Sequence, residues 1–191
     1  MNYSNVIGFL LFLVFILQFI SGLLLSCYYS PFLAFDLVYY IMIDVNVGWL
    51  IRWLHCLGAS LFMLFILIHW IRGAWIRLKV IDSFQSWVQI HSAFLSVNDS
   101  GIGLSLSLIW VSGWVILSCS MIEGFLGYIL NWGQMSYWGI TVMINIVAVL
   151  PCCGKVIAEL IRCAAWCILN RIFIYHFLIG IVIALMILIH I

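Results

Sequence analysis

Residues 1–35 include no Asp, Glu, Lys or Arg, and four more long charge-free stretches follow at 53–71, 100–122, 124–154 and 172–191. These runs are long and continuously apolar rather than alternating. A membrane crossing takes about 20 apolar residues, and backbone groups in lipid must be satisfied within a helix or a closed barrel. Continuous runs favour helices over a barrel. Composition agrees: 68% of residues are hydrophobic and 7% charged, against roughly 45–50% and 25% in soluble domains. A chain this small could not bury that much apolar surface in water. A soluble enzyme, a nucleic-acid binder and a disordered tail are excluded. A net charge of +1 offers no polybasic patch.

The expected fold is an all-α membrane protein with four spans, over about 6–28, 48–75, 104–128 and 170–191. The N-terminus lacks a charged region and an Ala-x-Ala site, so the first span reads as a retained helix. Residues 76–103 form the longest polar segment and are expected to be a loop. The stretch from Trp138 to Leu150 is apolar, but the Asn131-Trp-Gly-Gln turn and Pro151 leave it too short to cross. Residues 131–167 are therefore expected to form interfacial helices. Four spans make the second and fourth parallel.

Four of five histidines lie in those two spans. His55 and His69 are 14 residues apart, as are His176 and His190. Fourteen residues rise about 21 Å and return to within about 40° of the same face. In parallel helices His55 would face His176 and His69 would face His190. Two facing imidazoles fit the axial positions of a b-type haem, whereas structural zinc wants four clustered ligands. The other two spans repeat the interval with Gly8 and Gly22, and with Gly113 and Gly127. A flat macrocycle needs such gaps on the helices that supply no ligand. A lone intramembrane histidine or glycine more often serves helix packing; four pairs on four helices argue against that origin.

Arg52, Arg72 and Arg171 flank the histidines and are candidate partners of haem propionates, because guanidinium binds carboxylate in a fork. Snorkelling at span ends is the plainer alternative. The seven cysteines include no Cys-x-x-Cys-His attachment motif and read as small apolar residues.

The segments Gly48-Trp-Leu-Ile-Arg52-Trp-Leu-His55, His69-Trp-Ile-Arg72-Gly, Gly127-Tyr-Ile-Leu-Asn-Trp-Gly-Gln-Met-Ser-Tyr-Trp-Gly139 and Arg171-Ile-Phe-Ile-Tyr-His176-Phe resemble the N-terminal half of cytochrome b, a subunit of mitochondrial and bacterial quinol–cytochrome c reductase. The resemblance implies two b-type haems, a low-potential one on His55 and His176 and a high-potential one on His69 and His190. It implies a quinol-oxidising pocket walled by residues 128–139, with Gly139, Tyr128, Met135 and Trp138 as candidates. One electron would pass to a Rieske iron–sulfur protein and onward to cytochrome c1. The other would cross through the haems to reduce quinone, coupled to proton translocation. Implied partners are ubiquinol and ubiquinone, the lipid bilayer, a separate chain carrying the C-terminal half, and a second copy of the complex. The chain is expected to be inactive alone. The mitochondrial inner membrane is the expected location, with a bacterial plasma membrane as the alternative.

Asn131 and Gly180 stand where that family usually has proline, and Ile140 where it has a small residue. Glu123 is unusual, an ionisable group inside the third span and a functional candidate by position. It could accept a quinol proton, pair with a buried partner, or sit neutral against a carbonyl. Two other readings of the whole chain are a dihaem membrane anchor relaying electrons from a dehydrogenase or hydrogenase, and a haem-free structural subunit.

Overall fold

The computed structural model describes residues 3–91, 100–162 and 165–191. Helix α1 covers Tyr3–Ser26; a short 3-10 turn at Pro31–Leu33 leads into α2, Ala34–Ile43. Then come α3 (Gly48–His91), α4 (Ser100–Ile129), α5 (Gln134–Val149), α6 (Gly154–Ile161) and α7 (Ala165–His190). Among the described residues, four helices have the length and composition to cross a membrane, over Val6–Ser26, Gly48–Lys79, Leu108–Ile129 and Cys167–His190. Helix α5, at 16 residues, falls short of the roughly 20 a crossing requires.

One expectation fails. The expected loop is 76–103, yet α4 already begins at Ser100 and α3 runs unbroken through 76–91 to His91. That stretch is polar but holds neither glycine nor proline, so nothing in it stops a helix from propagating. The middle of the expected loop, residues 92–99, lies outside the described residues.

Direction follows from contacts. Histidines 55 and 69 on α3 meet 176 and 190 on α7 in the same order, so these helices run parallel. On α1, Gly22 faces His55 and Gly8 faces His69; on α4, Gly127 faces His176 and Gly113 faces His190. Both orders are reversed, so α1 and α4 run antiparallel to their histidine-bearing neighbours.

Two buried clusters hold the bundle. In the middle, Ile66, Ile116, Leu117 and Ile183 pack with Leu11, Phe15 and Phe62. These residues fall between the two histidine levels on all four helices. At one end, Ile129, Ile140, Ile144, Ala158, Leu169 and Ile172 tie α5 and α6 to the ends of α4 and α7. In lipid such packing works through van der Waals fit rather than expulsion of water. Gly58 shows the fit: a Cβ there would run into the side-chain amide of Gln18, which donates to the Leu54 carbonyl at 3.4 Å.

The turn between α4 and α5 is tightly specified. Trp132 takes a left-handed φ of 47° and its N–H donates to the Ile129 carbonyl at 3.0 Å. The buried Ser136 hydroxyl donates to the Tyr128 carbonyl at 2.9 Å. This bond folds the start of α5 back onto the end of α4 and brings Gly139 beside the Tyr128 ring.

Candidate cofactor site

The four spans place their imidazoles at two levels. The ring centroids of His55 and His176 are 6.3 Å apart, with planes at 85°. Those of His69 and His190 are also 6.3 Å apart, at 68°. With a metal–nitrogen bond of about 2.0 Å and about 1.1 Å from nitrogen to ring centre, two trans imidazoles on one ion would have centroids about 6.2 Å apart. Both pairs fit that span. Among the described residues no three His, Cys, Asp or Glu side chains gather as a metal-binding group. The donor set suits a cofactor that brings its own equatorial ligands.

Each level is faced by two glycines. A Cβ on Gly22 would stand 3.0 Å from His55 Cε1, and one on Gly127 would stand 3.0 Å from His176 Cε1. The corresponding distances are 3.2 Å for Gly113 to His190 and 3.7 Å for Gly8 to His69. The glycines at the first level leave room that any side chain would take. A cavity of about 500 Å³ opens there, lined by His55, His176, Gly22, Gly127, Arg52 and Glu123 among others. Pockets for small molecules and cofactors span about 300–1,000 Å³.

Two serines, not expected from sequence, orient the rings. Ser21 Oγ lies 2.9 Å from His55 Nδ1 and donates to the Leu17 carbonyl at 2.7 Å. Ser112 Oγ lies 2.8 Å from His190 Nδ1 and donates to the Ile109 carbonyl at 2.9 Å. With each hydroxyl proton engaged by a carbonyl, the oxygen accepts from the imidazole Nδ1–H. That tautomer leaves the Nε2 lone pair free for a metal. The signal was available: Ser21-Gly22 and Ser112-Gly113 are adjacent pairs, each beside a glycine of the repeat.

The flanking arginines divide. Arg52 lines the cavity and donates to Asn131 Oδ1 at 3.4 Å. Arg72 is partly buried one turn beyond His69. Arg171 is exposed and donates to the Leu160 carbonyl, one of the orphan acceptors at the end of α6. Of the expected quinol-wall residues, Tyr128 lines the cavity and sits 3.6 Å from where a Gly139 Cβ would be. Met135 and Trp138 are 75% and 61% exposed, on the outer side of α5.

Tyr29 is a further cavity residue. Its hydroxyl donates to the Leu130 carbonyl at 2.8 Å and its ring packs on Phe173, centroids 5.4 Å apart. Burial pushes its phenol well above the ordinary value.

Comparison with known proteins points one way. A sequence profile described as cytochrome b/b6/petB matches residues 1–106 and 90–191. Cytochrome b of Myzostoma seymourcollegiorum is 35% identical over 99% of this chain and 44% of its own length. That of Allochromatium vinosum is 34% identical over 100% of this chain and 42% of its own. A solved structure described as a hyperthermophilic respiratory complex III superposes on 100% of this chain and 47% of that one, with a TM-score of 0.75 and 26% identity. The chain thus spans less than half the length of these relatives.

Proposed function

Since the chain belongs to the cytochrome b/b6 family, we propose that it is the dihaem portion of a quinol–cytochrome c reductase, with each b-type haem held between two histidines. Membership itself carries an electron-transfer role, b-type haem and a multipass place in the membrane. The observation that supports the finer reading is the repeated level: two histidine pairs of equal separation, each faced by two glycines.

In this reading His55 and His176 would hold one haem through Nε2, and His69 and His190 would hold the other. When bound, the haems supply one-electron carriage from one side of the membrane to the other. Ser21 and Ser112 hold their imidazoles in the ligating tautomer. Glycines 8, 22, 113 and 127 leave the flat space beside the rings. Ile66, Ile116, Leu117 and Ile183 fill the layer between the levels and exclude water from it. Arg52, in the first cavity, provides a guanidinium for a propionate, and Arg72 does so at the second level. Arg171, engaged with α6, is the weakest of the three for that role.

Quinol would bind where the end of α4 meets the start of α5, against Tyr128 and Gly139, with Met135 and Trp138 completing an outer wall. A Rieske iron–sulfur protein, cytochrome c1, a second copy of the complex and the helices of the relatives' C-terminal half are the proposed partners. Reduction of the purified complex by quinol, with and without a quinol-site inhibitor, tests the assignment. Inhibitor-sensitive reduction of both b components is expected. Inhibitor-insensitive reduction by a dehydrogenase partner would refute it in favour of a simple relay.

A further inference from the structure

Three of the four histidines have a polar neighbour at Nδ1 that the geometry identifies, and the third is unlike the other two. His55 and His190 each meet a serine hydroxyl. His176 instead has a carboxylate: its Nδ1 lies 3.0 Å from Glu123 Oε1. The approach is close but unaligned. Both His176 Nδ1 and the second oxygen, Glu123 Oε2, are buried without a hydrogen-bond partner. Among the described residues no backbone carbonyl takes up that carboxyl group, and orphaned polar atoms of this kind are costly in an apolar interior.

The space for the carboxylate comes from α7. A Cβ on Gly180, one turn beyond His176, would stand 3.3 Å from Glu123 Oε1. Glu123 itself is one turn before Gly127 on α4 and lines the first cavity. A glycine on one helix, a glutamate on its neighbour and a histidine whose second nitrogen is unpaired therefore meet at one point.

We propose that Glu123 is the positioning partner of His176. Its carboxylate accepts the Nδ1–H once the ring is fixed through Nε2, and so lowers the reduction potential at that level. A carboxylate makes a stronger acceptor than a hydroxyl, and a hydrogen bond from Nδ1–H to a carboxylate raises the basicity of a ligating imidazole. A more basic ligand favours the oxidised metal. The second level has a serine in the corresponding role on α4, so the two levels are made electronically unequal by Glu123 against Ser112. This proposal rests on the bis-histidine haem reading above.

The test is a redox titration of the assembled complex, comparing wild type with Glu123→Gln. Glutamine keeps the size and an acceptor oxygen but weakens the hydrogen bond. The expected result is a roughly tenfold shift of one reduction equilibrium toward the reduced form, which is about +59 mV for one electron. The other wave stays in place, and Ser112→Ala moves that other wave instead. Gly180→Ala is the second variant, for the case in which Glu123→Gln fails to load haem. It crowds the carboxylate without removing it, and a smaller upward shift of the same wave is expected. Normal b-type absorbance with both waves unmoved in the variant that loads overturns the proposal alone. Wild-type protein without b-type absorbance overturns the haem reading and the proposal together.

Discussion

Adding one methyl group at each glycine of the repeat gives a graded experiment, because the four clearances differ. At Gly22 and Gly127 the new Cβ would lie 3.0 Å from an imidazole carbon, at Gly113 3.2 Å and at Gly8 3.7 Å. Ordinary carbon–carbon contacts are about 3.5–4.0 Å. The first two positions are therefore overpacked, the third is tight and the fourth allows an ordinary contact. Without metal the ring could swing aside. Once Nε2 is bound the ring is fixed, so the cost falls on the loaded protein. Overpacking costs about 1–3 kcal/mol, which corresponds to about 5- to 150-fold weaker haem retention. Gly22→Ala and Gly127→Ala are expected to lose haem from the first level by that order. Gly113→Ala should lose less from the second, and Gly8→Ala should retain wild-type content. Haem per chain, measured by reduced-minus-oxidised absorbance after detergent extraction, reads the series. Equal loss in all four variants, or a Gly8→Ala defect as deep as that of Gly127→Ala, would refute the clearance argument.

Arg52→Gln removes a positive charge from the first cavity and should lower the potential of that level alone, opposite in sign to Glu123→Gln; potentiometry of the two waves checks it. Ser21→Ala removes the acceptor at His55 Nδ1 and should weaken the first level by about 0.5–1.5 kcal/mol, seen as an altered low-spin spectrum while the second level is untouched. Tyr29→Phe removes the bond to Leu130 and should cost about 1 kcal/mol at neutral pH. It should also flatten the alkaline limb of stability. The folded phenol is raised above its ordinary value of about 10, so its stabilisation is complete below that pH and is lost as pH rises further. Thermal midpoints of both proteins between pH 8 and about 11.5 would show it.

Much of this arrangement could be read from residue types and intervals. Charge-free runs, cut at the Asn131 turn and at Pro151, mark the four crossings, and the interval of 14 aligns His55 with His69 and Gly113 with Gly127 on single helix faces. The count of four spans makes α3 and α7 parallel, and the order of histidine contacts agrees. What escaped was local and dependent on neighbours. The extension of α3 to His91 is polar, and polarity alone suggests a loop although residues 76–91 hold no breaker. Ser21 and Ser112 are common residues whose role depends on which way a ring on another helix turns. Glu123 was conspicuous as a charge inside a span, but only the position of His176 says what it meets. Arg171 stands five residues before His176, where Arg52 stands three before His55, and the carbonyl it reaches belongs to α6, 11 residues away in sequence.

In the proposed assignment this chain would hold two b-type haems, each between one histidine of α3 and one of α7. The most direct measurement is haem content per chain in the purified complex, for wild type and for His55→Leu and His69→Leu. Two haems per chain are expected in wild type, with each variant losing a different spectral component. Wild-type protein with one haem or none, or two variants that lose the same component, would contradict the claim.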